Sequence, residues 1–188
     1  MMYYEEIRIR KMADIPPSFL WTKLYNQLHL LMATEKNEKG ENDIGISFPE
    51  YNPKGLGYTI RLFSEDKETL NSIGSFHDIP ALSEYLIFSK VKEVPKKIKS
   101  YAVYRRYQPD NSRHQKAKRY AKRHNVSYEE AFELLKSKPP LKYPYIQMHS
   151  ATTGQNFSLF IHKIESKSPM EGEFNAYGLS TTATVPEF

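Results

Sequence analysis

Residues 3–10 read YYEEIRIR, and residues 16–31 read PPSFLWTKLYNQLHLL. The first stretch alternates with the period of two expected of a half-buried strand. The second opens on a proline pair, which suits the first turn of a helix. It then repeats Leu20, Leu24, Leu28 and Leu31, flanked by Trp21, so that one helical face is apolar to about Ala33. Working outward, the acidic, glycine-containing residues 35–42 read as a loop. Residues 44–48 read as a short strand ended by Pro49, and residues 58–63 (YTIRLF) alternate again. Ser64 is a suitable N-cap for a short helix through Ser72, and residues 85–94 read as extended up to Pro95. The order β-α-β-β-α-β is the ferredoxin-like pattern. Many RNA-binding modules use it, as do many unrelated proteins, so it bears on fold more than on function.

After Pro95 the texture changes. Lys96-Lys97-Ile98-Lys99 read as a linker, which divides the chain into a ferredoxin-like (RRM-like) domain, 1–95, and a smaller α+β domain, 96–188. Residues 101–107 are expected to be extended. Residues 109–112 form a turn that caps a basic, arginine-rich helix over 113–123. Ser127 with Glu130 is a capping-box signature for a further helix to about Lys136. Pro139-Pro140 and Pro144 enclose an irregular stretch, and strands are expected over 145–149, 156–162 and 173–177. The fold class is therefore α+β.

Composition narrows the function. With 188 residues, 39% hydrophobic and 13% aromatic, the chain can build a core. It has no cysteine, which excludes disulfides, thiolate metal sites and cysteine nucleophiles. The longest apolar run, Leu30 to Ala33, is far short of the roughly 20 residues of a membrane span. The acidic, aromatic N-terminus is unlike a secretory signal. A soluble, cytoplasmic protein is expected.

The net charge of +5 conceals a strong segregation. Residues 90–123 hold 13 Lys and Arg against Glu93 and Asp110, a balance of +11; the rest carries 14 basic and 20 acidic residues, or −6. Such a basic surface suits an anionic partner, and nucleic acid is the commonest, although charge runs also occur as solvated faces. In the basic helix, Arg119 and Arg123 share a face with Lys116 one turn back, and Lys118 and Lys122 form the neighbouring ridge. These would track phosphates, of DNA or RNA alike. Arg113 opens the same helix. Just before it, Arg106 and Gln108 are two apart on an extended segment and point the same way. Arginine matches the guanine O6/N7 edge and glutamine the adenine N6/N7 edge.

Candidates for chemistry are few. On a helical wheel with Leu20 at 0°, the leucine stripe spans about 0–80° and His29 falls near 180°. By position alone it reads more readily as a surface residue than as a catalyst. Ser150 lies in the hydroxyl-rich HSATTGQ, a loop able to hold a phosphate or a ribose hydroxyl, which turn chemistry explains about as well. Tyr177 reads as a strand-end aromatic. No acidic cluster or histidine spacing suggests a metal site and no glycine-rich phosphate loop is present, which argues against two-metal nuclease chemistry.

Taken in order, these segments resemble the CRISPR RNA-processing endoribonuclease family of type I-F systems. The likeness includes IRIR, Pro16-Pro17, Leu28-His29, Ile44 to Pro49 and the basic helix ending Arg123-His124. It continues through Thr153-Gly154-Gln155 with Phe157, Tyr177-Gly178-Leu179-Ser180, and the closing Val185-Pro186 and Phe188. The resemblance implies an enzyme that binds the CRISPR repeat stem-loop and cuts at its 3′ base. The expected reaction needs neither metal nor other cofactor: the ribose 2′-OH attacks the adjacent phosphate and leaves a 2′,3′-cyclic phosphate and a 5′-OH. It further implies His29 as general base, Ser150 holding the nucleotide before the cut, and Tyr177 orienting the histidine. Arg106 and Gln108 would read bases. Arg119, Lys122 and Arg123 would enter the groove of the stem, and Phe157 would stack on its terminal pair. The implied partners are the repeat RNA and the other subunits of a type I-F crRNA-guided complex, with no membrane. Lys122 replaces an arginine, turning a bidentate contact into a point charge, and Thr152 stands where the family can have a serine. A non-cleaving hairpin-binding subunit of the same fold is the alternative, and a basic DNA-binding regulator a third reading.

Overall fold

β1 (Tyr3–Ile9) is the inner strand around which the first sheet is built. Its alternation buries Glu5, Ile7 and Ile9 on one face. β3 (Thr59–Ser64) pairs with it in the register Ile7↔Ile60, and β4 (Leu86–Phe88) on the other side in the register Ile7↔Phe88. β2 (Gly45–Ser47) pairs with β3, and β5 (Lys92–Glu93) extends along β1 past the end of β4. The order β2-β3-β1-β4, antiparallel throughout, has α1 (Pro17–Lys39) between β1 and β2, and α2 (Lys67–Ile73) with α3 (Pro80–Ser83) between β3 and β4. This is the β-α-β-β-α-β series expected from the sequence, and the chain is α+β. The structure, a computed structural model, describes residues 1–11, 14–40, 42–73, 80–108, 113–135, 143–150 and 153–188, with the backbone alone at 35, 38, 39, 73, 80, 81 and 113–115.

A second antiparallel sheet has the order β7-β8-β6-β9, made of β6 (Ser100–Tyr107), β7 (Tyr145–His149), β8 (Asn156–Ser166) and β9 (Val185–Glu187). β9 contains Pro186 and lies at the edge, where a missing N–H costs no ladder bond. α1 packs against β1 of the first sheet and β7 of the second. Leu20, Leu24, Leu28 and Met32, four apart, are fully or almost fully buried along it. Trp21 and Tyr25 fill the flank and close on Phe48 at 5.6 and 6.4 Å between ring centroids. Phe48 also meets Tyr104 of β6 edge-on at 5.7 Å, so one core serves both sheets. Met1–Tyr107 and Tyr143–Phe188 form one compact unit holding both sheets, and Gln108–Lys142 form another. Pro95 separates the strands of the first sheet from those of the second.

Five expectations change. The segment 35–42 is not a loop throughout: α1 continues to Lys39, because glutamate and lysine are good helix formers. Gly40 stops it at φ +80°, its N–H returning to Lys36 O. Asp66, not Ser64, caps α2 through Glu68 N and Thr69 N, while Ser64 Oγ accepts from Asp66 N one step earlier. Residues 85–94 form two short strands rather than one. β8 runs four residues beyond His162, to Ser166. Residues 173–177 form no strand but a single bridge, Phe174 to Asn42, followed by a turn. Lys136, the turn at 109–112, the prolines at 139–140 and Thr152 lie outside the described residues.

The second unit contains α4 (Arg113–His124) and α5 (Tyr128–Leu134), which pack on each other and bury Ala117 and Ala131. Asn125 turns the chain at φ +52°, and Ser127 Oγ caps α5 by accepting from Glu130 N at 3.0 Å.

Candidate active site

His29 lies on the half-buried flank of α1. Its Nδ1 is 2.7 Å from the carbonyl oxygen of Ala176. A carbonyl only accepts, so Nδ1 carries the hydrogen and the neutral ring presents Nε2 as its basic nitrogen. The Tyr177 ring stacks on the imidazole with centroids 4.0 Å apart and planes within 5°. One bond and one stack thus fix both the tautomer and the plane of the ring.

The turn that supplies these two contacts is itself tightly held. Asn175 Oδ1 accepts from Tyr177 N at 2.8 Å and from Leu179 N at 3.3 Å, and Asn42 Nδ2 donates to Asn175 O at 2.7 Å. The buried Tyr25 hydroxyl donates to Tyr177 O at 2.8 Å. Burial, and to a lesser degree Tyr177, raises that phenol well above its ordinary range, so it remains a donor. Gly178 adopts φ +69° where a Cβ would lie 2.6 Å from Ile46 Cγ2, and its carbonyl accepts from Ile46 N at 3.1 Å. Only glycine fits that combination.

Ser150 begins the connection from β7 to β8. Its N–H donates to Gln155 O at 2.9 Å and its carbonyl accepts from Gly154 N at 2.8 Å. Its Oγ accepts from Thr153 N at 3.2 Å and keeps its own O–H to donate. The preceding residue is tied to α1: His149 N donates to Asn26 Oδ1 at 3.1 Å, while Asn26 Nδ2 donates to Thr22 O at 2.7 Å. Asn26 is one turn before His29 on the same helix. α1 therefore anchors both the hairpin of Ser150 and the turn of Tyr177.

The guanidinium carbon of Arg106, near the end of β6, is 5.3 Å from the Phe157 ring centroid and 5.9 Å from that of Tyr177. Phe157, Arg106, Tyr177 and His29 form one continuous run of ring and cation contacts. Gln108 is exposed just beyond the strand.

In the second unit, with buried Ala117 of α4 set at 0°, Lys118, Lys122, Arg119, Arg123 and Lys116 fall at about 100°, 140°, 200°, 240° and 260°. All five are exposed, so the outward arc is cationic along most of a helix about 18 Å long. The side chain of Arg113 lies outside the described residues.

Sequence reasoning missed Asn26, Asn42, Tyr25 and Asn175. The one available signal was Asn175 three residues before Gly178, a turn pattern in a stretch read as a strand. Among the described residues no three His, Asp or Glu side chains are grouped to hold a metal ion, and no helix is long and apolar enough to cross a membrane.

The family model described as CRISPR-associated protein (Cas_Csy4) matches residues 4–188. The chain belongs to the Cas_Csy4 family. Two curated Cas_Csy4 relatives align over the whole of both chains. The CRISPR-associated endonuclease Cas6/Csy4 of Escherichia coli (strain UTI89 / UPEC) is 32% identical over 191 residues, and that of Pseudomonas aeruginosa (strain UCBPP-PA14) 30% identical over 193. A solved RAMP protein that binds different RNA substrates aligns with 98% of this chain and 100% of its own at 12% identity and a TM-score of 0.36, too slight a likeness to bear on function.

Proposed function

We propose that this Cas_Csy4 chain is a CRISPR endoribonuclease that binds the repeat stem-loop and cuts at its 3′ base without a metal. The observation that carries the reading is the fixed imidazole: Nδ1–H tied to Ala176 O, the ring flat against Tyr177, and Nε2 left as the base. His29 Nε2 takes the proton of the ribose 2′-OH, and the 2′-oxygen forms a bond to the adjacent phosphorus. The bond from phosphorus to the 5′-oxygen breaks, and that oxygen leaves with a proton from the imidazolium or water. The products are a 2′,3′-cyclic phosphate and a 5′-OH. Much of the rate is positional, since in-line attack requires a nucleotide geometry that a helical stem avoids.

The binding groups divide the remaining work. Ser150 donates its hydroxyl to the nucleotide before the cut. Phe157 stacks on the terminal pair of the stem, and Arg106 and Gln108 read base edges. The cationic arc of α4, with Lys116, Arg119, Lys122 and Arg123, follows the phosphates near the helix end, where the narrow major groove of A-form RNA opens, and Arg113 at the start of the helix is a further RNA contact. The product stays bound, and the protein then serves as the hairpin-binding subunit of a type I-F crRNA-guided complex in the cytoplasm.

The test uses the repeat hairpin of the same genome in EDTA, beside a hairpin carrying a 2′-deoxy nucleotide upstream of the cut. The all-ribose RNA is cut to a cyclic phosphate, and the deoxy RNA is bound and intact. His29→Ala binds the hairpin with nearly unchanged affinity and does not cut. Tight binding of both RNAs with neither cut would make the chain a non-cleaving hairpin-binding subunit and remove the roles given to His29, Ser150 and Tyr177.

A further inference from the structure

A groove of about 750 Å³ runs beside the N-terminal half of α1, closed by the loop at residues 53–58 and the start of β7. Its walls include Phe19, Trp21, Lys54, Tyr58, Tyr143 and Tyr145, and no Asp or Glu among the described residues lines it. Phe19 and Tyr145 are 53% and 56% exposed; Tyr145 rests against Phe160 with ring centroids 5.2 Å apart and leaves the rest of its surface open. Lys23 Nζ is 5.6 Å from the Phe19 ring centroid and Lys11 Nζ 4.8 Å from that of Tyr58. The carboxylate of nearby Glu50 is engaged by the Tyr58 N–H. Open aromatic faces set among ammonium groups, with carboxylates kept out, are the chemistry of single-stranded nucleic acid: bases stack and phosphates meet lysines.

Placement connects the groove to the candidate active site. Phe19 and His29 are ten residues apart on α1, roughly 15 Å along the helix. β7 covers a similar span, about 14 Å from Tyr145 at the groove to His149 beside Ser150. The Asn26–His149 bond joins helix and strand between them, and Thr22 and Gln147 line the groove on the side toward that bond.

We propose that the groove holds the single-stranded RNA continuing 3′ of the scissile phosphate, its bases stacked on Phe19 and Tyr145 and its phosphates against Lys11, Lys23 and Lys54. The inference rests on the reading of a cut at the 3′ base of the stem. The 3′ flank is favoured because it is unpaired and covalently joined to the reacting phosphate, at the end of the path that α1 and β7 lay out. Contacts here act on the precursor and are lost with the downstream fragment after cleavage.

The experiment measures binding of the full chain to three RNAs made uncleavable by the upstream 2′-deoxy nucleotide: the hairpin ending just past the cut, the same with a short 3′ oligouridine, and the same with a 5′ oligouridine. The 3′ extension is expected to tighten binding about tenfold or more and to steepen the salt dependence. Phe19→Ala and Tyr145→Ala, both at exposed positions, each remove most of that gain and leave the short hairpin's affinity unchanged. A 3′ extension that adds nothing, a gain confined to the 5′ extension, or a gain that survives both substitutions overturns the groove assignment. With the short hairpin still bound and its all-ribose form still cut, such a result leaves the endoribonuclease reading standing. Failure to bind the short hairpin at all defeats both.

Discussion

Replacing Glu5 by glutamine is expected to stabilise the protein at alkaline pH and to do almost nothing in acid. Glu5 precedes Ile7 and Ile9 on the inward face of β1 and is 3% exposed, and its Oε2 has no hydrogen-bond partner among the described residues. Burial pushes its carboxyl from 4.5 up to about 7. Between those values the folded chain holds a proton that the unfolded chain has released, so stability falls as pH rises through that window. The difference, at 1.36 kcal/mol per unit, is about 3 kcal/mol by pH 8. Glu5→Gln keeps the shape and removes the ionisation. Urea unfolding near pH 8 should show the variant more stable by up to about 3 kcal/mol, and near pH 4.5 the two proteins should agree. A stability difference that is the same at both pH values would refute the buried, protonated carboxyl.

Three further outcomes test the site. Gly178→Ala forces a Cβ against Ile46 at positive φ; the Tyr177 turn shifts, and hairpin cleavage falls by about 100-fold, while hairpin affinity, measured by filter binding, stays close to wild type. Tyr25→Phe leaves the Tyr177 carbonyl without its donor and costs about 1–3 kcal/mol in urea unfolding. Arg119→Ala weakens hairpin binding and lowers the slope of log affinity against log salt by about one; an unchanged slope removes Arg119 from the phosphate contacts.

The elements with strong periodicity were legible. β1 and β7 alternate and the leucines of α1 repeat, so burial followed from the pattern. The miss at residues 35–42 came from weighing acidic composition above helix propensity, and the true stop is the left-handed Gly40. The site was harder to see for a different reason. The wheel correctly kept His29 out of the leucine stripe, yet its hydrogen-bond partner is 147 residues away. No local period encodes that pairing. Residues 173–177 look like a strand because Phe174 and Tyr177 are large and apolar. The structure uses Phe174 for a bridge to Asn42 and spends Asn175 on closing the turn.

α1 does more than fill the core. Its register sets Asn26 and His29 one turn apart, and each reaches a different distant loop: Asn26 holds the β7 end beside Ser150, and His29 meets the turn of Ala176 and Tyr177. Leu28, between them in sequence, is fully buried. A rotation of the helix that kept the core filled would have to move both contacts together, because the packed stripe Leu20, Leu24, Leu28 and Met32 permits only one azimuth. The burial that stabilises the fold therefore also fixes where the imidazole points. Damage to that packing should appear in the cleavage rate before it appears as loss of RNA binding, since the phosphate contacts proposed for α4 belong to a separate compact unit with its own buried alanines.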